Sequence, residues 1–355
     1  MKKILPLFLI FISAAMFGQD EAAIAAKADS LHKVFFTIDT HNDYAIFACH
    51  PDSEDYSVEK GQVSFPMMVE GGLDAGVFAI YMGQEGRSQD SLQLAVEYGV
   101  RELTLFKEFV QKNFSDYVEI AYSSDDLLRI KKEGKRAVLL SLENAYMLGN
   151  DIKNVEMFYN LGIRLITLCH FGDNDICDSA RKSSNEHGGV SQFGADVIRE
   201  MNRLGMMVDL SHASEKSFYD AMDISQVPIV CSHSSCRSLC DHPRNLTDGQ
   251  MKSLAGKGGV MQVTFYEGFL RQDSKASVLD AIEHINHAVN IMGIEHVGIG
   301  TDFDGDGGVP GLAHAGELIN LTRALLRERY SGTDLRLLWG ENFLRVMREA
   351  QGFKA

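Results

Sequence analysis

Eight short apolar runs, separated by stretches with helical periodicity, constrain this chain more than any other feature of its 355 residues. Nearly continuous apolar runs of this length are typical of parallel strands that are buried on both faces. The runs are 34–43, 71–82, 136–145, 163–170, 206–212, 228–234, 258–266 and 296–305. The helical stretches are 88–112, 124–132, 154–161, 192–204, 248–255, 277–292, 315–328 and 334–350. This alternation predicts an α/β fold, a single (β/α)₈ TIM-type barrel.

Most of the runs end in a side chain that can bind a metal ion or move a proton. These residues are His41, Asp43, Glu143, His170, His212, His233 and Asp302. The loops after the strands of a barrel converge at one mouth, so we expect these side chains to meet there. A lone His-x-Asp would be a strand followed by a polar turn. Because His, Asp or Glu residues end most of the other runs as well, the pattern predicts a metal site at the C-terminal ends of the strands.

Composition and charge exclude several classes of protein. Hydrophobic residues make up 45% of the chain and charged residues 23%, which is ordinary for a globular protein with a sizeable core. The formal net charge is -15, whereas a protein that follows a nucleic-acid backbone needs clustered Lys and Arg. We therefore predict no nucleic-acid partner. No Pro-rich or Gly/Ser-rich linker divides the chain, so we predict one domain over residues 19–355.

The N-terminus has the pattern of a secretory signal. Lys2 and Lys3 precede an apolar run over 4–17, and Gly18 lies near a plausible cleavage site. We interpret residues 1–18 as a removed signal peptide and expect an exported protein, periplasmic or secreted, with no membrane-spanning helix in the mature chain. A buried N-terminal helix is the alternative. Six Cys are too few for a disulfide-dense scaffold, and their spacings form no C-x-x-C pair.

The predicted mouth carries more metal ligands than one ion needs. Several imidazoles and carboxylates exceed the four ligands of a tetrahedral zinc, which favours a pair of ions. Glu143 arises between the two groups of ligands, so its carboxylate is the candidate bridge. His41 and Asp43 would then hold one ion, and His212 and His233 the other. Metal-activated hydroxide would act as the nucleophile.

Three further residues have predicted roles in catalysis or substrate binding. Asp302 can accept a proton from the water and pass it to the leaving amine, although it can also be a further metal ligand. His170 can donate to the developing oxyanion or ligate a metal, and we favour the donor. Arg244, in the loop after the sixth run, can clamp a substrate carboxylate, whereas a solvated loop arginine is the default.

The chain resembles the membrane (renal) dipeptidase family, which are dinuclear zinc peptidases of the amidohydrolase-like barrels. The matching motifs extend through essentially the whole mature chain and include Asp-Thr-His-Asn-Asp, Ser-Leu-Glu-Asn, Cys-Ser-His-Ser-Ser, Arg-Asn-Leu and Gly-Ile-Gly-Thr-Asp-Phe-Asp-Gly. They occupy 39–43, 141–144, 231–235, 244–246 and 298–305, with further matches at 165–170, 201–212 and 340–346.

The resemblance implies a residue-by-residue assignment. It implies two zinc ions per chain held by His41, Asp43, Glu143, His212 and His233, with His170 at the oxyanion, Arg244 at the substrate carboxylate, Asp302 in proton transfer and Tyr266 in the substrate pocket. It also implies dipeptide substrates, tolerance of a D-residue on the carboxyl side and, as an open possibility, a homodimer. The loop over 171–189 departs from the tryptophan-containing form of the mammalian enzymes, which leaves the side-chain preference open.

Two other functions compete with a dipeptidase. One is another metal-dependent amidohydrolase on the same barrel, such as an N-acyl amino acid deacylase or a lactam hydrolase. The other is a non-catalytic receptor that retains the barrel for binding. Arg244 favours a substrate with a free carboxylate, and the intact Glu143 and Asp302 favour an enzyme over a receptor.

Overall fold

The computed structural model describes residues 7–50, 61–181 and 185–353, with the backbone alone for 7–20. The strands are β1 (Ile38–Asn42), β2 (Ala75–Tyr81), β3 (Val118–Ile120), β4 (Arg136–Glu143), β5 (Ile163–Thr167), β6 (Met207–Asp209), β7 (Val230–Ser234), β8 (Val260–Val263) and β9 (Val297–Ile299). The helices of the first half are α1 (Leu7–Val34), α2 (Tyr44–Ala48), α3 (Phe65–Gly71), α4 (Gln89–Phe114), α5 (Ser124–Lys132), α6 (Lys153–Leu161) and α7 (Gln192–Leu204). Those of the second half are α8 (Glu215–Ile224), α9 (Asp248–Gly256), α10 (Glu267–Leu270), α11 (Val278–Met292), α12 (Leu318–Arg327), α13 (Gly332–Arg336) and α14 (Asn342–Gly352).

The strands form one parallel sheet that closes on itself. Its order is β1-β2-β4-β5-β6-β7-β8-β9, and β3 pairs with β4 off this path. The segment after β9 returns to β1, where the Asp302 N–H donates to the His41 carbonyl at 3.1 Å and the Asp43 N–H donates to the Phe303 carbonyl at 2.8 Å. The predicted barrel of eight β/α units is therefore confirmed.

Strand β4 shows how the sequence divides its side chains between two environments. All of its residues after Arg136 are buried, and alternation places Leu139, Ser141 and Glu143 on one face. That face points into the barrel, toward its axis, because Glu143 contacts histidines of β1 and β7 and the histidine that follows β6. Val138, Leu140 and Leu142 point the other way, into the core that includes Phe158 of α6 and Phe106 of α4. The interior of the barrel is therefore apolar near the start of β4 and polar near its C-terminal end.

Several boundaries differ from the predicted ones. The first half of the predicted run 34–43 is the end of helix α1 and a short connection, since β1 begins only at Ile38. Gly71, predicted to open the second strand, instead ends helix α3, where Gly72 adopts a left-handed φ of 69°. The sequence analysis also missed β3, helix α8 and the short helices α2, α3 and α10.

The predicted signal peptide is only partly within the described chain. Residues 1–6 lie outside it, and helix α1 begins at Leu7. Within the described residues, no helix is both long enough and apolar enough to cross a bilayer. All six cysteines are free, so the chain as described contains no disulfide.

Candidate metal centre and substrate cavity

The predicted metal-binding and catalytic residues lie together at the C-terminal mouth of the barrel. His41 and His233 belong to β1 and β7, and Glu143 is the last residue of β4. His170, His212 and Asp302 each follow the end of their strand by three residues, and Asp43 follows β1 directly. All seven side chains are buried. The prediction that these side chains lie together at the mouth of the barrel is therefore confirmed.

Glu143 lies at the centre of this cluster, with its two oxygens directed to different histidines. Oε2 lies 3.6 Å from Nε2 of His41. Oε1 lies 3.3 Å from Nε2 of His212 and 3.6 Å from Nε2 of His233. The two oxygens of one carboxylate thus belong to two separate groups of potential ligands, His41 with Asp43 and His212 with His233.

The contacts of His41 fit ligands around a cation better than hydrogen bonds, whereas Nε2 of His212 lies 2.8 Å from Nε2 of His233, within hydrogen-bond range. Nε2 of His41 is 3.9 Å from the Asp43 carboxylate and 3.8 Å from that of Asp302, too long for hydrogen bonds. Two ligands about 2.1 Å from a tetrahedral ion lie roughly 3.4 Å apart. Both ring nitrogens of His41 and one oxygen of Asp43 are buried without a hydrogen-bond partner among the described residues. Such orphaned atoms are costly unless a ligand such as a metal ion satisfies them. The residues therefore fit a metal centre.

A buried carboxylate that the sequence analysis missed orients His233. Asp209, at the end of β6, accepts a hydrogen bond from the Ser232 hydroxyl at 2.6 Å and from the Ser232 N–H at 2.8 Å. The Ser232 hydroxyl oxygen also lies 2.8 Å from Nδ1 of His233. Because the only hydroxyl proton of Ser232 goes to Asp209, Nδ1 of His233 carries the proton in this contact. Its Nε2 then presents a lone pair toward Glu143, as a metal ligand requires.

Two residues of the cluster adopt a backbone conformation that only glycine adopts without strain. His212 has a φ of 69° and Asp302 a φ of 65°. Hydrogen bonds hold both, since the His212 carbonyl accepts from the Ala180 N–H at 2.7 Å and the Asp302 carbonyl accepts from the Gly307 N–H at 2.7 Å. Strain of this kind costs of order 1–3 kcal/mol per residue and concentrates at functional sites. Here it turns an imidazole and a carboxylate into the mouth.

Burial sets the protonation states of the cluster when no cation is bound. It lowers the pKa values of His41 and His170 to about 3 and lowers those of His212 and His233, so all four imidazoles are neutral and can ligate a metal. Burial, and then the charge of Asp43, raises the pKa of Glu143 well above its usual range. Burial also raises the pKa of Asp302 to about 7. Cations among these carboxylates would relieve the repulsion and restore their charge.

Arg244 is buried at the mouth rather than solvated. It is only 2% exposed, and its guanidinium lies 5.2 Å from the centre of the Phe269 ring. Nη2 donates to the His233 carbonyl at 3.1 Å, while Nε and Nη1 have no hydrogen-bond partner among the described residues. A buried guanidinium with two unpaired donors is arranged to receive an anionic group. This replaces the default interpretation of a loop arginine in water.

The cluster lines a cavity of about 260 Å³, which suits a small molecule. Its walls combine Asp43, Glu143, His170, His212, Arg244 and Asp302 with Ile46, Phe47, Tyr81, Phe171, Phe269, Asp304, Gly305 and Asp306. The predicted pocket residue Tyr266 is not part of this lining. It packs edge-on against Phe269, with 4.6 Å between ring centres, so it lies one side chain away from the cavity.

Tyr81, at the end of β2, is a second residue that the sequence analysis missed. Its hydroxyl lies 3.3 Å from Nδ1 of His170. Burial, reinforced by the charge of Glu143, raises the pKa of Tyr81 to about 12, so it remains a phenol that can donate. If it donates to Nδ1, the proton of His170 sits on Nε2, which lies 3.9 Å from Glu143. Tyr81 thus favours the form of His170 that donates into the mouth.

Comparisons with known proteins agree with this geometry. The model of the family described as membrane dipeptidase (peptidase family M19) matches residues 25–355. The dipeptidase tcpJ of Claviceps purpurea (strain 20.1) is 34% identical over 301 residues, which are 83% of this chain and 71% of that protein. The crystal structure of the probable dipeptidase PvdM from Pseudomonas aeruginosa has a TM-score of 0.87 at 27% identity, covering 93% of this chain and 99% of that one.

A third comparison concerns the fold alone. A metallo peptidase from Rhodobacter sphaeroides, solved with a phosphinate mimic of the dipeptide L-Ala-D-Ala, superposes with a TM-score of 0.81 at 22% identity. The match covers 89% of this chain and 99% of that one. The barrel and its extent are therefore common to both proteins.

Proposed function

We propose a specific function for this chain, which belongs to the membrane dipeptidase family, peptidase family M19, and is a metal-dependent dipeptidase. In this proposal it is an exported enzyme with a pair of zinc ions at the barrel mouth. We propose further that it hydrolyses the peptide bond of dipeptides and accepts a D-residue on the carboxyl side. The shared position of Glu143 between two groups of ligands carries this proposal.

In the proposed centre, His41 and Asp43 would hold one ion and His212 and His233 the other, with Glu143 available to both groups. Zinc suits the set because imidazole nitrogen and carboxylate oxygen are its usual ligands besides thiolate. When bound, the ions lower the pKa of a water molecule and polarise the scissile carbonyl. Asp209 contributes by fixing His233, through Ser232, with Nε2 toward the ions.

In the proposed complex, Arg244 holds the substrate in the cavity. The two unpaired donors of its guanidinium can form parallel hydrogen bonds with the terminal carboxylate of a dipeptide. Phe269 packs beside the guanidinium, and such an apolar neighbour lowers the local dielectric and strengthens a charged hydrogen bond. A substrate without a free carboxylate gains nothing from Arg244, which separates a dipeptidase from a lactam hydrolase.

Proton transfer in the proposed reaction belongs to Asp302, and stabilisation of the oxyanion to His170. Asp302 faces the centre, 3.8 Å from Nε2 of His41, where its carboxylate can take a proton from the attacking water and give it to the leaving amine. His170, supported by Tyr81, can donate from Nε2 to the oxygen of the scissile carbonyl. The strained backbone of Asp302 holds its carboxylate in this place.

Export and tolerance of a D-residue rest on the sequence pattern and the family. The positively charged, then apolar, N-terminus favours a signal peptide over 1–18. Since the metallo peptidase from Rhodobacter sphaeroides was solved with a mimic of L-Ala-D-Ala, this dipeptide is the natural first substrate to compare with L-Ala-L-Ala. Recovery of a chain that begins near Gln19 from the extracytoplasmic fraction would test export.

The direct test of the proposed function is turnover by the zinc-loaded mature chain. We expect hydrolysis of both L,L and L,D dipeptides and little or none of N-acyl amino acids or lactams. Preferred hydrolysis of N-acyl amino acids would indicate a deacylase instead. A fully loaded protein that binds dipeptides but leaves them intact would indicate a receptor.

A further inference from the structure

A second cluster of metal-binding side chains lies outside the catalytic cavity, behind helix α2. Cys49 and His50 follow the end of this helix, and Glu102 faces them from helix α4. One potential ligand atom from each of the three lies within 4.8 Å of the others. We propose that Cys49, His50 and Glu102 bind a further divalent cation of the zinc type, separate from the catalytic centre.

The chemistry of the three ligands supports a cation of this kind. A thiolate, an imidazole and a carboxylate are the three ligand classes that zinc uses in proteins. With three protein ligands, a tetrahedral ion keeps a fourth position for water. By contrast, the described groups of potential ligands at the barrel mouth contain histidine and carboxylates and no cysteine. The two sites therefore differ in having or lacking a sulfur ligand.

The position of Glu102 gives the cluster a fixed anchor. Glu102 is 5% exposed on helix α4, and buried carboxylates are rare unless they are paired or bind a metal. Its Oε2 lies 2.8 Å from Nε2 of His50, and its Oε1 pairs with Nη2 of the largely exposed Arg101 at 2.9 Å. A cation would replace the proton between His50 and Oε2 while Arg101 keeps Oε1 in place.

Cys49 completes the set from the same turn. Its Sγ donates to the Ala45 carbonyl over 3.3 Å, and the residue is half-buried, so small ions can reach it from solvent. Binding would deprotonate the thiol, as metal ions do with coordinating thiols. The other five cysteines are buried and lie outside this cluster.

The proposed ion would connect two elements next to the substrate cavity. Helix α2 starts directly after the ligand Asp43, and its Ile46 and Phe47 line the cavity. An ion held between the end of this helix and Glu102 of α4 would fix α2 at its far end. The competing interpretation is an ordinary ion pair between His50 and Glu102 beside an inert thiol.

Cobalt titration of the full mature chain distinguishes these interpretations. Co²⁺ replaces zinc readily, and a thiolate ligand gives it a sulfur-to-metal charge-transfer absorption in the near ultraviolet that nitrogen and oxygen ligands do not give. We expect this band in the wild type and in the matched control Cys240→Ser. In Cys49→Ser the band should be absent, and the protein should bind about one ion per chain fewer than the wild type.

A second variant keeps the thiol and removes the carboxylate charge. In Glu102→Gln the cobalt concentration that half-saturates the band should rise about tenfold or more, since even indirect partners of metal ligands affect affinity by about 10–100-fold. No band in the wild type at saturating Co²⁺ would overturn the proposal. A band that persists in Cys49→Ser would overturn it equally. Neither outcome affects the catalytic centre, which has no sulfur ligand among its described groups.

Discussion

Arg244 donates from Nη2 to the main-chain carbonyl of His233 at 3.1 Å. The proposed carboxylate clamp is therefore hydrogen-bonded to strand β7, which also supplies the proposed metal ligand His233. The remaining donors, Nε and Nη1, have no partner among the described residues. A dipeptide carboxylate bound there would lie in the same cavity as Glu143, His170 and Asp302.

The first prediction follows from this clamp. Arg244→Lys retains the positive charge and loses the two parallel hydrogen bonds, so KM for dipeptides should rise about 10–100-fold. Dipeptide amides, which lack the terminal carboxylate, should be hydrolysed equally poorly by the variant and the wild type. Arg237→Lys is the matched control, because Arg237 lies in the same loop and donates to the carbonyls of His242 and Pro243. An unchanged KM in Arg244→Lys would remove the clamp from the account.

The second prediction concerns Asp209, which holds Ser232 and through it His233. Asp209→Asn removes the acceptor that fixes the Ser232 hydroxyl, so the affinity for zinc should fall about 10–100-fold, with activity recovered at high zinc. Asp74→Asn is the control, because Asp74 is also buried and accepts from Thr37 but lies before β2, at the opposite end of the barrel. Equal effects of the two substitutions on zinc affinity would indicate a general loss of stability instead.

The third prediction separates proton transfer from metal binding at Asp302. Asp302→Asn keeps the shape of the side chain and cannot accept a proton, so kcat should fall about 10²–10⁴-fold. Metal analysis of the same sample should show the wild-type content. Loss of an ion in parallel with the rate would instead make Asp302 a metal ligand, the alternative that its distance from His41 permits.

The fourth prediction concerns stability in acid and His284 of helix α11. Its Nδ1 accepts from the Cys236 N–H at 3.0 Å and its Nε2 contacts the Leu270 carbonyl at 3.1 Å. Burial lowers the pKa of His284 to about 4, whereas the unfolded chain takes up this proton near pH 6.5. The unfolded state therefore binds more protons in this interval, and the free energy of unfolding falls as the pH is lowered through it.

Urea unfolding at pH 7 and pH 5 measures this contribution. His284→Gln should lose about 2 kcal/mol less than the wild type between these two pH values. The matched control is His287→Gln, which removes an imidazole from the same helix that is paired with Asp248 at the surface. An equal loss in wild type and His284→Gln would show that His284 does not contribute to the acid sensitivity.

Much of the mouth of the barrel could be predicted because parallel strands leave a clear signal at their C-terminal ends. An apolar run that stops at His41 or Glu143 marks both the strand end and the functional residue. The start of β1 could not be found this way, because Val34 at the end of helix α1 is followed directly by Phe35 and Phe36, which continue the apolar run into the strand. Strand β3 has only three residues, and Glu119 at its centre interrupts the apolar run that marked the other short strands.

The supporting residues could not be predicted for a different reason. Asp209 acts through Ser232 on the neighbouring strand β7, and Tyr81 contacts His170 across the mouth, since β4 separates β2 from β5. Such partners become visible only when the barrel is assembled. A carboxylate inside an apolar strand is a weak signal that could have pointed to Asp209. Tyr266, assigned to the pocket by resemblance, lies behind Phe269 and stays a prediction as a direct substrate contact.

Zinc content with and without the Glu143 carboxylate tests the paired centre. It is measured with Glu143 intact and in Glu143→Gln, and both proteins also carry Cys49→Ser, which removes the proposed peripheral ion. In the Cys49→Ser background we expect about two zinc ions per chain, falling to about one or fewer when Gln replaces Glu143, because one carboxylate serves both ions. A single ion with Glu143 present would contradict the paired centre. Two ions retained after Glu143→Gln would contradict the bridge.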